Sequence, residues 1–433
     1  MKNDLRKYGL WLLILTGLGI GIYNLPPVRS RLEWRLDELN AKIKYAISPP
    51  EQVIFIPAGQ DTENESRSKA TPIPLGTPAA TAMPKSGNPL PVNTPIPTIQ
   101  TLVPTAIPGK VRLSGFRHEY QGWNNCGPAT LATALSFWGW QGDQYDIATS
   151  VKPNARDKNV MPDEMADFVE KQTNFSVIIR LGGDINLLKR LVAGGYPVII
   201  EKGFESPKFD GWMGHYELIT GYDNATKGFL AQDSYLGPDL KVPYETMESY
   251  WRAFNFAYLV VFPTERESDL AALLGSRMDA ANNREFVAQK AENEISALTG
   301  RDLYFAWFNR GSSLVALQDY VGAANAFDQA FEVYPSIPQK SRPWRMLWYQ
   351  IGPYQAYYST GRYQDVIDLS TETLKTMSEP VLEESYYWRA LAKESLGDHK
   401  GAVDDLQSSL KYHPGFEQGW AALQRLTTLT PVP

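Results

Sequence analysis

The hydrophobic pattern of this chain begins with one apolar run and then changes its period several times. Residues 8–23, YGLWLLILTGLGIGIY, carry no charge and follow Lys2, Arg6 and Lys7, which is typical of a signal peptide or an uncleaved anchor. With the uncharged residues after it, a helix here would be about 31 Å long, enough for a single span. No A-x-A-like cleavage site is visible in the run. We therefore predict a membrane anchor over residues 1–28.

A short helix is predicted over residues 29–48, and a spacer follows it over residues 49–110. Apolar side chains recur every three or four positions in the first stretch, at Leu32, Leu36, Leu39 and Ile43. Such a seam either pairs two chains or belongs to a solvated juxtamembrane helix. The second stretch is rich in Pro, Thr and Ala, which predicts an extended, disordered linker. An anchor followed by a stiff spacer indicates a single-pass membrane protein whose bulk lies outside the cytoplasm.

Residues 111–263 mix helical and strand-like periods. A helix is expected at about 127–138, early in this stretch. Strands are expected at 176–181, 197–202, 215–222, 228–234 and 257–262. Because the helical pattern comes early and the strands come late, we predict an α+β domain with a mainly antiparallel sheet.

Residues 264–433 are helical and repetitive. One unit has the spacing of a tetratricopeptide repeat, with Trp307, Gly311, Tyr320, Ala323, Phe327, Ala330 and Pro335. A more degenerate unit follows around Tyr357, and another runs from Tyr386 to Pro414. Three such units with flanking helices as caps are enough for a stable helical stack. This all-α repeat domain predicts a surface for a protein partner, but it does not name the partner.

Composition and charge remove several classes of function. The chain has 433 residues, 43% of them hydrophobic and 21% charged, as in ordinary globular proteins. Its formal net charge of −6 and its lack of a basic cluster argue against nucleic acid as a partner. The single cysteine cannot form an intramolecular disulfide, and four scattered histidines do not predict a zinc site. We expect no metal and no cofactor.

The single cysteine lies in QGWNNCGPATLATALSFWGW, at the start of an apolar helix. A lone cysteine is most often a small buried hydrophobe. Here Pro128 favours a first helical turn, so the helix N-terminus faces Cys126 and lowers its thiol pKa from about 8.5. Gln121 precedes the cysteine in a polar loop, where its amide is a candidate oxyanion donor or an ordinary solvated side chain.

A histidine and an aspartate occupy matching ends of two predicted strands. His215 opens the strand in GHYELITGYD, and Asp233 ends the following strand in GFLAQDS. If the strands form a hairpin, the carboxylate can orient the imidazole, as a catalytic triad requires. His118 competes for the role of base, but its loop position makes it the weaker candidate. Asp223 and Asp210 compete for the third role from a turn and a loop.

This order of residues resembles a known family. Gln, Cys, His and Asp, with CGPA at a helix start, are similar to the bacteriocin-processing, double-glycine leader peptidases, a family of papain-like cysteine peptidases, and especially to its stand-alone branch. The resemblance implies that Gln121, Cys126, His215 and Asp233 take the oxyanion, nucleophile, base and orienting roles. Ser234 stands where the family commonly has Pro. No ATP-binding motif follows, so export through an attached transporter is not expected.

Other thiol folds share this order of residues. Transglutaminase-like and cell-wall endopeptidase domains usually have a shorter Cys to His interval than the 89 residues between Cys126 and His215. We therefore expect a hydrolase that cuts peptides or proteins, with helical repeats that hold the substrate or a partner. The alternatives are a non-catalytic peptide-binding module on the same fold and a wall-directed amidase or acyl transferase.

Overall fold

The computed structural model describes residues 39–58, 107–206 and 211–429, together with Trp11 and Gly17. The predicted anchor at residues 8–23 and most of the Pro- and Thr-rich stretch lie outside these ranges. Within the described ranges, no helix is long and apolar enough to cross a membrane.

An antiparallel sheet of seven strands forms the centre of the first folded region. Its strands are β1 (Lys110–Arg112), β2 (Phe175–Arg180), β3 (Val198–Phe204), β4 (Met213–Asp223), β5 (Gly228–Asp233), β6 (Gly237–Pro243) and β7 (Tyr258–Pro263). The order is β2-β7-β3-β4-β5-β6, and β1 pairs with β4. Each pairing is antiparallel, as the sequence predicts.

Helices cover this sheet and supply one end of the candidate site. They are α1 (Cys126–Phe137), α2 (Gln144–Val151), α3 (Pro162–Gln172), α4 (Ile185–Ala193) and α5 (Tyr244–Arg252). Helix α1 is buried from Gly127 to Leu135, because its many small side chains let the sheet and α3 approach closely. A Cβ at Gly127 would lie 3.3 Å from the sulfur of Met165 and 3.4 Å from the ring of Tyr216. This close packing fixes the start of α1 against β4.

The second folded region is all helical. Its helices are α6 (Glu267–Leu274), α7 (Ala280–Ile295), α8 (Gly300–Ala316), α9 (Tyr320–Val333), α10 (Gly352–Ser359), α11 (Tyr363–Thr376), α12 (Glu383–Ser395), α13 (His399–Tyr412) and α14 (Glu417–Leu429). Short 3-10 turns occur at Pro50–Gln52, Thr264–Arg266, Gly275–Met278, Tyr334–Ser336, Gln339–Ser341 and Met346–Trp348. The glycine of the first repeat is explained by packing, because a Cβ at Gly311 would lie 2.6 Å from the ring of Phe327.

One buried hydrophobic cluster includes residues of both folded regions. Trp212, which precedes β4, is 1% exposed and stacks on Phe254 at 5.8 Å. It belongs to the same buried cluster as Phe305 of the first repeat. Arg345 donates a 2.7 Å hydrogen bond to the carbonyl of Trp212. The repeats are therefore packed directly against the chain that leads into β4.

The N-terminal part of the predicted spacer differs from the expectation. Residues 39–47 are helical, and Leu39 and Ile43 of the predicted seam are 52% and 51% exposed. We predicted a disordered linker from Pro49 onward, but Pro50 is buried and Phe55 packs against the first repeat. The apolar residues inside this Pro-rich stretch pair with aromatic rings of the repeats, a contact that composition alone does not reveal.

Candidate active site

Cys126 is the first residue of α1 and is half-buried. The backbone amides of Gly127 and Tyr216 hydrogen-bond its sulfur. Burial raises the pKa of the thiol, but the hydrogen bond and the positive charge of His215 outweigh it, so the pKa lies below the ordinary value. Cys126 therefore has the environment of a thiolate.

The loop before Cys126 is held in a defined shape. Asn124 has φ 52°, a left-handed conformation that Asn tolerates better than most residues. Lys152 donates to the carbonyl of Asn124 at 3.2 Å and to Oδ1 of Asn125 at 3.1 Å. The ammonium group thus fixes the turn that delivers Cys126 to the helix start.

His215 and Asp233 meet because β4 and β5 form the predicted hairpin. The pairing of Leu218 with Gln232 brings the start of β4 beside the end of β5. Nε2 of His215 lies 3.2 Å from Oδ1 of Asp233, and the two side chains are 3% and 0% exposed. Since Nε2 faces the carboxylate, Nδ1 is the nitrogen that is left for the thiol of Cys126.

The charges of this pair follow from burial and proximity. Burial disfavours the imidazolium, but the Asp233 carboxylate and the Cys126 thiolate raise the pKa of His215 to about 9. Burial likewise opposes ionisation of Asp233, yet His215 and then Lys202 hold its pKa below the ordinary value. Oδ1 of Asp233 also accepts from the amides of Tyr235 and Leu236, both at 2.8 Å. The carboxylate is thereby fixed in charge and position.

Gln121 is joined to the residue that follows the aspartate. Its amide N–H donates to the carbonyl of Ser234 at 2.8 Å, and the Ser234 hydroxyl donates to Oε1 of Gln121 at 2.9 Å. The hydroxyl thus holds the oxygen end of the side chain and leaves Nε2 for another acceptor. A proline at position 234 would lack this hydroxyl, so the serine has a local structural role.

The competing residues do not take the places of His215 or Asp233 in the described part of the chain. The ring of His118 packs edge-on against Tyr120, with centroids 4.9 Å apart. Asp223, at the far end of β4, forms an ion pair with Lys110, with Nζ 2.9 Å from Oδ2. Asp210 lies outside the described residues. Of these candidates, Asp233 is the carboxylate that the hairpin brings to His215.

Two stretches of the chain match known protein families. Residues 109–259 match the model of the Peptidase_C39 like family. We call these residues the C39-like domain. Residues 384–415 match a tetratricopeptide repeat, so a papain-like C39 fold is followed by helical repeats. None of the curated proteins matches this chain.

Several solved structures are similar to the C39-like domain. A C39-like peptidase from Bacillus anthracis is 20% identical, covers 35% of this chain and 96% of its own, and has a TM-score of 0.29. The peptidase domain of Streptococcus ComA is 17% identical, covers 34% of this chain and 97% of its own, and has a TM-score of 0.28. ComA is a bi-functional ABC transporter of a quorum sensing pathway. Xylellain, a cysteine protease from Xylella fastidiosa, is 17% identical, covers 38% of this chain and 89% of its own, and has a TM-score of 0.30.

Sequence reasoning missed a buried ion pair beside the histidine of the C39-like domain. Nζ of Lys202 lies 2.9 Å from Oε2 of Glu217, with side chains 8% and 0% exposed. Lys202 is paired directly across the strands with His215, whose ring stacks on Phe204 with centroids 4.5 Å apart. The available signal is the charged pair EK inside the apolar strand VIIEKGF, because such strands rarely carry charges without a buried partner.

A residue of the repeats also reaches the C39-like domain beside its histidine. A Cβ at Gly214 would lie 3.1 Å from the ring of Tyr349, so the glycine makes room for this ring. Burial raises the pKa of Tyr349, and the nearby Cys126 thiolate acts in the same direction. No local sequence pattern predicts this contact, because it joins segments far apart in the chain.

Proposed function

We propose that this protein is a cysteine peptidase that hydrolyses peptide bonds with Cys126, His215 and Asp233. The observation that carries the proposal is the buried His215, which is held by Asp233 on one nitrogen and by the Cys126 thiol on the other. A matched base and a thiol of lowered pKa at a helix N-terminus are what thiol catalysis requires. The match to the Peptidase_C39 like family supports the same activity.

In the proposed reaction, proton positions follow from the geometry of the imidazole. The Cys126 thiolate attacks the carbonyl carbon of the peptide while Nδ1 of His215 carries the proton. The oxyanion that forms is stabilised by Nε2 of Gln121 and by the backbone N–H of Cys126. The C–N bond then breaks as His215 protonates the leaving amine. Water next attacks the thioester, His215 takes up its proton, and the C–S bond breaks to release the acid.

We further propose that the remaining parts of the chain bring the catalytic head to its substrate. The helical repeats offer a surface for a protein substrate or partner, as tetratricopeptide repeats generally do. The apolar run in residues 8–23, with basic residues before it, supports a single membrane anchor. The bulk of the chain would then lie outside the cytoplasm, where it meets peptides or proteins of the envelope.

A digestion experiment tests the peptidase proposal. Wild type, Cys126→Ser and His118→Ala are incubated with a pool of unfolded proteins, and new N-termini are identified by mass spectrometry. We expect the same new termini from wild type and His118→Ala, and none from Cys126→Ser. Identical termini from the cysteine variant would assign any cleavage to a contaminant. Absence of cleavage in all three would favour a peptide-binding module instead.

A further inference from the structure

Residues 44–58, here called the N-terminal strap, lie along the helical repeats. From Glu51 to Ala58 the burial alternates, with every second residue more exposed than its neighbours. Phe55 is on the covered side, whereas Ile56 is 79% exposed. A period of two is the pattern of an extended chain with one face against a surface. The strap therefore presents one defined face to the repeats.

Aromatic contacts fix the covered face of the strap. The ring of Phe55 packs edge-on against Phe331 at 5.0 Å and lies 6.2 Å from Tyr357. Further along the strap, Tyr45 packs edge-on against Trp344 at 5.4 Å. Helices α9 and α11 contribute to the groove that holds the strap, which is lined by Phe331, Tyr334, Leu347, Leu369, Thr373 and Thr376.

Hydrogen bonds to main-chain atoms hold the strap at several points. The amide of Ala58 donates to Oδ1 of Asp365 at 3.0 Å, and Arg342 donates to the carbonyl of Glu51 at 2.8 Å. Nζ of Lys44 donates to the carbonyl of Met377. The Asp365 carboxylate is 5% exposed, so its bond to the strap is made in a shielded site. Contacts to backbone atoms along an extended chain are a known mode of peptide recognition.

The docked strap fixes the described chain on the N-terminal side of residues 59–106. Ala58 is bound to the repeats, and Lys110 pairs with Asp223 in the sheet of the C39-like domain. Both ends of residues 59–106 are thus tied to one folded body.

We propose that the N-terminal strap is an intramolecular peptide ligand of the helical repeats, bound through Phe55 and its backbone in a groove to which α9 and α11 contribute. The strap fastens the N-terminal residues directly to the repeats. The groove accordingly selects an extended peptide with an aromatic side chain, and it is already filled in this chain. The inference does not depend on peptidase activity.

Cleavage of the full chain between the strap and the C39-like domain tests this inference. The recognition sequence of a specific protease is inserted between Gly87 and Asn88 of a protein that carries an N-terminal affinity tag. After cutting in detergent solution, we expect the C-terminal piece to stay on the affinity resin in wild type. Phe55→Ala removes the aromatic side chain on the covered face of the strap and should weaken retention at least about thirtyfold. Ile56→Ala, the neighbouring exposed residue, is the matched control and should retain the piece fully.

A competition experiment covers the case in which Phe55→Ala does not fold. A synthetic peptide of residues 44–58 is added in excess to the cut wild-type protein on the resin. We expect this peptide to elute the C-terminal piece, and the same peptide with Phe55→Ala to leave it bound. Release of the wild-type piece by cutting alone would overturn the inference. Equal retention of wild type and Phe55→Ala would also overturn it, and so would equal elution by both peptides.

Discussion

Asp233→Asn removes the charge beside His215 but keeps the atom that holds the turn. An Asn Oδ1 can accept the same two bonds from the amides of Tyr235 and Leu236. The charge it removes lies 3.2 Å from Nε2 of His215 in a buried site. That charge and the thiolate raise the pKa of His215 from 6.5 to about 9. This difference of about 2.5 pH units corresponds to roughly 3 kcal/mol.

We expect the pKa of His215 to fall below about 9 in Asp233→Asn, because the carboxylate charge is gone while burial continues to disfavour the imidazolium. In wild type the thiolate and imidazolium coexist from the lowered pKa of Cys126 up to about 9. In the variant, Cys126 faces a neutral ring near neutral pH, so its own pKa rises. The thiolate population near neutral pH then falls, by at most about 300-fold if the full difference were transferred to the thiol.

Ultraviolet absorbance of the thiolate measures this change directly. The absorbance of each protein is compared across pH with that of its Cys126→Ser counterpart, so that tyrosine signals cancel. Asp223→Asn, at the far end of β4, is the matched control and should titrate as wild type. An unchanged thiolate titration in both Asp233→Asn and Asp233→Ala would refute the role of this carboxylate.

Four further substitutions have distinct expected outcomes. Gln121→Ala should lower kcat by about 10²–10³ with no change in alkylation of the thiol, since it removes an oxyanion donor. Ser234→Ala should lower kcat less, because it removes only the bond that orients the amide. Lys202→Met leaves Glu217 buried without its partner and should destabilise the fold by about 3–5 kcal/mol in chemical unfolding. Burial raises the pKa of Glu384 above 4.5, so stability falls as pH rises above that value, and thermal unfolding of Glu384→Gln should show a smaller fall.

The hairpin that carries His215 and Asp233 was predictable because its information is local. The segment from His215 to Asp233 contains two strands and a turn, and antiparallel pairing places the first residue near the last. The start of α1 was predictable for a similar reason, since Gly127 and Pro128 mark a helix N-terminus at Cys126. The structure places Cys126 at the start of α1 and joins His215 to Asp233 within the hairpin. Gln121, in the loop before Cys126, is hydrogen-bonded to Ser234 next to Asp233.

Elements without a clear local pattern, or with partners far along the chain, were not predictable. Strand β6, GPDLKVP, contains Gly, two prolines and charged residues, and its pairing with β5 relies on backbone bonds. Trp212, in the segment before His215, is buried against the repeats. Its partner Phe305 lies far along the chain, so no local period indicates the contact.

The strap was missed because composition concealed its periodicity. Residues 51–58, EQVIFIPA, contain an apolar run that is compatible with an extended chain. The surrounding Pro, Thr and Ala favoured a uniform linker, and the aromatic groove that receives Phe55 is built from repeats more than 250 residues away. A short apolar segment inside a Pro-rich stretch is therefore evidence for a docking peptide only when its receptor is known.

Alkylation of Cys126 by iodoacetamide tests the central claim most directly, because the chain has a single cysteine. Rates are measured across about pH 4–9 by intact mass in wild type, His215→Ala and the control His118→Ala. The account predicts fast alkylation that persists below pH 7 in wild type and in His118→Ala, and that is lost in His215→Ala. Alkylation that rises only near the ordinary thiol pKa of about 8.5, equally in all three proteins, would contradict an activated Cys126–His215 pair.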